Sequence, residues 1–180
     1  MANVALFFLG SSFPVLSNLL ALYVHPLALL VRPWTIVTYM FVHASMSHLF
    51  FNMLGLFFFG PRLEAKLGSK QFLYLYFISG MCGALLSFVF SMGIVIVGAS
   101  GGVYGVLLGF AMFWPRDKIY IWGILPIEAR WLIAAMTAIT IYSGVGAVQN
   151  GVAHFAHLGG FVGAYLYMRW LERNSPARKF

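Results

Sequence analysis

The chain has a single cysteine and only four acidic residues in 180 positions. One thiol, Cys82, in the middle of an apolar segment excludes an internal disulfide framework, and it reads as a packing residue. Only 8% of the residues are charged, where a soluble domain carries about 25%, so a solvated surface is missing. No HExxH occurs, which removes the commonest sequence signature of a zinc hydrolase. The N-terminal stretch has neither a charged n-region nor a small-x-small cleavage site, so it is expected to be a retained span and not a removed signal peptide.

What is present is apolar surface: 62% of the residues are hydrophobic and 18% aromatic. That balance points to a bilayer-embedded chain. Six apolar segments emerge, at about 4–22, 47–66, 71–92, 99–114, 128–146 and 151–171, each near the length a helix needs to cross hydrocarbon. The expected fold class is therefore all-α, a polytopic bundle of six transmembrane helices forming one domain over 1–180, with a short fourth helix. Pro14 in span one predicts a kink there. The connector from about 23 to 46, with His25-Pro26, Arg32-Pro33-Trp34, Tyr39 and Phe41, is aromatic and amphipathic, and is expected to lie in the membrane interface.

A net charge of +7 raises the question of nucleic acid, but the cations cluster between apolar runs. Arg62, Lys66 and Lys70 follow span two; Arg116, Lys118 and Arg130 flank the gap after span four; Arg169, Arg173, Arg178 and Lys179 end span six. Only Arg32 falls on the other side, so the positive-inside rule explains the charge without a polyanion and puts both termini in the cytoplasm. Glu64, Asp117, Glu128 and Glu172 share that cytoplasmic side, whereas all five histidines fall in the opposite half. Any chemistry is expected to face outward.

Spacing gives depth. Ser100 lies sixteen residues before Arg116, His48 fourteen before Arg62, and His157 twelve before Arg169. At about 1.5 Å per residue these are about 24, 21 and 18 Å of helix in a core of about 30 Å. Three polar groups thus fall in nearly one layer, below the outer surface. Irregular backbone at 93–99 is tolerated there only beside protein or water, which implies an outward-facing aqueous pocket. Small-residue stripes at Gly101, Gly105 and Gly109 on span four and Ala156, Gly160 and Ala164 on span six allow the two spans to approach closely.

A serine hydroxyl needs a base, and neutral imidazole suits that transfer. His157 is the best-placed partner for Ser100. No acid is expected in the outer half, so a Ser-His-Asp triad is excluded and any catalytic pair is a dyad. Tyr104, one turn after Ser100, faces the same way and either buttresses the His157 ring or is simply core. His48 and Asn52, four apart on one face of span two, either donate to an oxyanion together with the Ser100 N–H or act as interhelical hydrogen-bond glue. His43 and His154 read as structural histidines that hold a connector or a helix end. The His154 and His157 pair could bind metal by its spacing but reads as structural, since no HExxH is present and no carboxylate shares their half.

These residues form a set of motifs. His48-Leu49-Phe50-Phe51-Asn52 preceded by His43, Gly98-Ala99-Ser100-Gly101 followed by Tyr104, and Ala156-His157-Leu158-Gly159-Gly160 resemble the HxxxN, GxSG and AHxxG motifs of the rhomboid intramembrane serine proteases. Arg62-Leu63-Glu64 with Leu67-Gly68-Ser69 is similar to that family's turn after span two. The resemblance implies Ser100 as nucleophile, His157 as base and later acid, and His48, Asn52 and the Ser100 amide as oxyanion donors, with Gly98 and Gly101 supporting the nucleophile turn. It also implies a membrane-helix substrate admitted sideways past span five, no cofactor, and the minimal six-span form of bacterial or archaeal members in a plasma membrane. Two positions depart from the pattern. Thr35 follows Trp34 where many members have Arg, with Arg32 lying earlier, and Ala164 ends the AHxxGxxxG run. The rival readings are a catalytically inactive rhomboid-like binder of membrane helices and a histidine-ligated membrane cofactor protein, with haem as the example.

Overall fold

The computed structural model describes residues 1–121, 123–146 and 154–175. The first apolar segment is two helices, α1 (Ala2–Ser12) and α2 (Pro14–Leu20). The break falls at Phe13, because a residue before proline is pushed out of the helical region while proline itself suits a first helical position. The connector then contains β1 (Leu22–Tyr23), α3 (Pro26–Val31), α4 (Thr35–Thr38) and a 3₁₀ turn, Tyr39–Phe41. Next come α5 (Met46–Leu67) and α6 (Ser69–Phe90), joined through Gly68 at φ +83°, a conformation that favours glycine. After β2 (Val95–Ile96) follow α7 (Ser100–Phe113), β3 (Lys118–Ile121), β4 (Leu125–Glu128), α8 (Ala129–Gly146) and α9 (His154–Asn174).

The chain is mostly helical, as expected, with two small antiparallel ladders that the sequence reading did not include. β1 pairs with β2, Leu22 opposite Ile96, and so ties the connector to the turn before α7. β3 and β4 form a hairpin with Lys118 opposite Glu128. Both were hidden in the sequence, since strands of two to four residues carry almost no periodic signal. Among the described residues α6 alone is long and apolar enough to cross a bilayer by itself. Taken with α4 and the 3₁₀ turn, α5 makes a second candidate, bent by 95°. The helices α1 and α7 and the stretch Ala129–Tyr142 of α8 are apolar but shorter.

The short helix α7 occupies the middle, packed against α5, α6, α8 and α9, and nine of its fourteen residues are buried. The closest helix contacts are made by glycine. A Cβ added at Gly160 would collide with the Gly101 carbonyl, and one at Gly159 would come within 2.5 Å of the Cys82 carbonyl. The expected stripe on α7 therefore meets α9 at Gly101 and in part at Gly105, and turns to α5 and α6 at Gly109. Gly105 lies against Ser79 of α6 as well as Ala164, and Gly109 lies against Leu75 and Leu63. Ala164 is fully buried, so the departure from glycine there is accommodated.

One end of the bundle gathers the charge. Arg62 pairs with Asp117 and lies 4.1 Å from the Trp114 ring centre, and Lys66 lies over Phe113. Arg130 pairs with Glu128, and Arg169 with Glu172. Arg178 and Lys179 fall outside the described residues.

Candidate active site

The connector is not merely laid on the surface. Arg32 Nη1 donates to the Asn18 carbonyl at 3.2 Å, Trp34 Nε1 to Leu19 at 2.9 Å and Thr38 Oγ1 to Leu20 at 2.9 Å. Three consecutive carbonyls at the end of α2, which no helical turn satisfies, are thus capped by connector side chains. Arg32 does hold the connector, in company with Trp34, although Thr35 stands where an arginine was expected. At its far end Tyr39 and Met40 are in the core, with 1% and 0% exposure.

Ser100 begins α7 and His157 lies in the first turn of α9. Their side chains are in contact: His157 Nε2 and Ser100 Oγ are 2.8 Å apart, a hydrogen bond whose donor depends on the imidazole tautomer. The approach of Gly160 to Gly101 brings the two helices near enough for this. Both residues are half-buried. Tyr104 stacks on the His157 ring with centroids 4.3 Å apart and planes 16° apart, and Phe161 backs Tyr104 at 4.9 Å. This stack is the contact that the buttress reading of Tyr104 requires.

The turn before Ser100 is shaped by Gly98, which sits at φ +120°. A Cβ there would strike the His48 ring, so glycine both permits the backbone and lets His48 pack against it. His48 belongs to the first turn of α5, whose start is capped by Ser45 Oγ accepting from His48 N–H at 3.1 Å. Asn52 is buried and donates one Nδ2 hydrogen to the His48 carbonyl at 2.8 Å, which leaves its second hydrogen free for another acceptor. His43 is a buried connector residue whose Nε2 accepts from Ala99 N–H at 3.4 Å, in keeping with a structural reading. His154 opens α9, one turn before His157.

The arrangement provides a hydroxyl and an imidazole hydrogen-bonded to it, with the His48 ring against Gly98 two residues before the hydroxyl. Among the described residues no group of three or more His, Cys, Asp or Glu is arranged to hold a metal ion. Sequence reasoning missed Tyr39, whose hydroxyl donates to the Gly80 carbonyl at 2.8 Å and whose carbonyl accepts from Gly98 N–H at 2.9 Å. It also missed the α6 side of the packing, although Gly80 and Gly83, three apart, were the available signal.

The family model of the Rhomboid domain matches residues 31–174. The chain belongs to the rhomboid family. It is 33% identical over 157 residues to RHOMBOID-like protein 4 of Arabidopsis thaliana, 32% over 145 to the Bacillus subtilis rhomboid YdcA, and 33% over 132 to Rhomboid-like protease 3 of Toxoplasma gondii. These matches take in 81%, 78% and 72% of this chain. They span only 38% of the Arabidopsis relative, 70% of YdcA and 48% of the Toxoplasma protein. As a rhomboid, the chain is membrane-embedded, and the Ser100, His157 and His48 cluster sits within the matched region.

Proposed function

We propose that this rhomboid is an intramembrane serine endopeptidase that cleaves transmembrane segments of other membrane proteins. The observation that supports this best is the 2.8 Å contact between Ser100 Oγ and His157 Nε2. With the ring proton on Nδ1, Nε2 takes the serine proton as Oγ bonds to the scissile carbonyl carbon. The charge that moves to the carbonyl oxygen is met by the Ser100 N–H at the start of α7, by His48, and by the free Asn52 amide hydrogen. When the tetrahedral species collapses, the C–N bond breaks and His157 gives its proton to the leaving amine. Water then releases the acyl group from Ser100 with His157 again as base.

Six spans, formed by α1 with α2, α5, α6, α7, α8 and α9, belong to the same proposal. So does an orientation with the basic end and both termini in the cytoplasm, an aqueous pocket opening outward, and substrate passing α8. A substrate must expose its backbone, so helix-weakened segments with a small residue before the scissile bond are the expected class.

The test is labelling by a serine-directed fluorophosphonate together with cleavage of a reporter that carries a helix-weakened transmembrane segment. Ser100→Ala is expected to lose both, and cleavage at the wild-type rate by that variant would sink the mechanism. No labelling and no cleavage by the wild type would favour an inactive helix binder.

A further inference from the structure

Helix α7 starts without a side-chain cap. Its cap residue is Ala99, which has no oxygen to offer. Such a start leaves several N–H groups without intrahelical partners, and the residues just before it are free to fray. Here the amides of Gly98 and Ala99 are both taken by the connector, through the Tyr39 carbonyl at 2.9 Å and His43 Nε2 at 3.4 Å. Ser100, as the first helical residue, keeps an N–H with no acceptor in its own helix.

We propose that Tyr39 and His43 are positioning residues for the nucleophile: from the connector they occupy the two amides before Ser100, and so hold the Ser100 hydroxyl and N–H at the reacting face. The inference rests on Ser100 being the nucleophile and deepens that reading.

Both residues are suited to the task. Tyr39 is 1% exposed, and its hydroxyl is fastened to the Gly80 carbonyl of α6, so the carbonyl it offers to Gly98 cannot drift. His43 is 7% exposed, and its Nε2 is the acceptor for the Ala99 amide. A buried polar group is costly unless it is hydrogen-bonded, and a leucine in its place would leave the Ala99 N–H without this acceptor. An accepting Nε2 also fixes the ring as the neutral tautomer with its proton on Nδ1.

The same ring backs the other donor. His43 packs edge-on against His48 with centroids 5.1 Å apart, and His48 in turn lies against Gly98. One connector residue thus sets the position of the nucleophile turn and of the imidazole proposed to face the oxyanion. Preorganised donors of this kind act by costing no rearrangement as charge develops, so loosening them should lower turnover without weakening binding.

The experiment compares His43→Leu, which has no acceptor, with His43→Gln, whose amide oxygen reaches about as far as Nε2. The full-length protein is used, with reporter kinetics, unfolding midpoints and amide exchange at Gly98 and Ala99. His43→Leu is expected to lower kcat by about 10- to 100-fold with KM nearly unchanged and to speed exchange at Ala99. His43→Gln should recover most of both. Tyr39→Phe, which frees the ring from Gly80, should speed exchange at Gly98 and lower kcat less. Glutamine and leucine variants falling equally, or amide exchange unchanged in His43→Leu and Tyr39→Phe, would overturn the proposal. A wild-type protein that neither labels nor cleaves would instead remove the protease reading, while the exchange data would still decide whether these contacts hold the turn.

Discussion

Helices α8 and α9 follow one another in the chain, yet they are held in opposite ways. In α9, nine residues are buried, and Gly159 and Gly160 bring its backbone onto the backbones of α6 and α7. In the stretch 129–142 of α8, only Ala129 and Thr140 are buried, while Trp131, Ile139 and Tyr142 are more than half exposed. A helix meshed backbone to backbone cannot shift without opening a void, because packed interiors switch between discrete arrangements and do not stretch. One held by the ends of side chains can. The proposed base therefore rides on the backbone-meshed element, and the more exposed helix lies where a substrate helix is proposed to pass.

The sharpest way to break this contrast is to put a side chain into the α9 mesh. Gly160→Val places branched carbon against the Gly101 carbonyl, where only backbone could give way. The expected cost is about 3 kcal/mol or more, at the upper end of overpacking effects, seen as a lowered unfolding midpoint in detergent and loss of fluorophosphonate labelling. A variant that folds and labels like the wild type would mean that the close approach of α7 and α9 is not what sets the dyad.

That packing was only partly legible beforehand. The spacing of Ser100, His48 and His157 from their basic flanks was readable because helical rise is constant, and the structure does bring Ser100 to His157 and His48 to Gly98. Gly101 and Gly160 could be matched as small residues, but which neighbour Gly105 and Gly109 would face depends on how three helices share one another's surfaces, and sequence spacing carries no such information. The strands β1 and β2 were illegible for a different reason: Leu22-Tyr23 and Val95-Ile96 are too short to alternate and pair over more than seventy residues. Tyr39 was noted only as one aromatic among several, because the groups it bonds, the Gly98 amide and the Gly80 carbonyl, are backbone and have no residue type to read.

A smaller effect is expected from the ring that stands in for a carboxylate. The chain's acids lie at the far end, three of them paired with arginines, and the His157 ring is stacked on Tyr104, which is the contact proposed to orient it. Tyr104→Ala should lower kcat by about 10- to 100-fold, the scale of loss when a reacting group is displaced by about 1 Å, while leaving the protein folded. Tyr104→Phe keeps the ring and should stay within about threefold. If phenylalanine proved as damaging as alanine, the hydroxyl and not the stacked face would be doing the orienting. The rigid side of the comparison would then need a hydrogen bond as well as packing.

The smallest effect belongs to α8. Ile139 is 64% exposed in the middle of the helix, on a face that the described residues leave largely open. In a bilayer such a side chain meets lipid tails whether or not the helices are docked, so removing methyl groups forfeits little docking energy. Ile139→Ala should therefore change stability by less than about 0.5 kcal/mol, read as an unfolding midpoint indistinguishable from wild type in the same detergent. A loss of more than about 1 kcal/mol, the size of an ordinary destabilising substitution, would reveal a protein contact on that face. The helix would then be fixed on both sides, and a substrate would have to reach Ser100 by some route other than past α8.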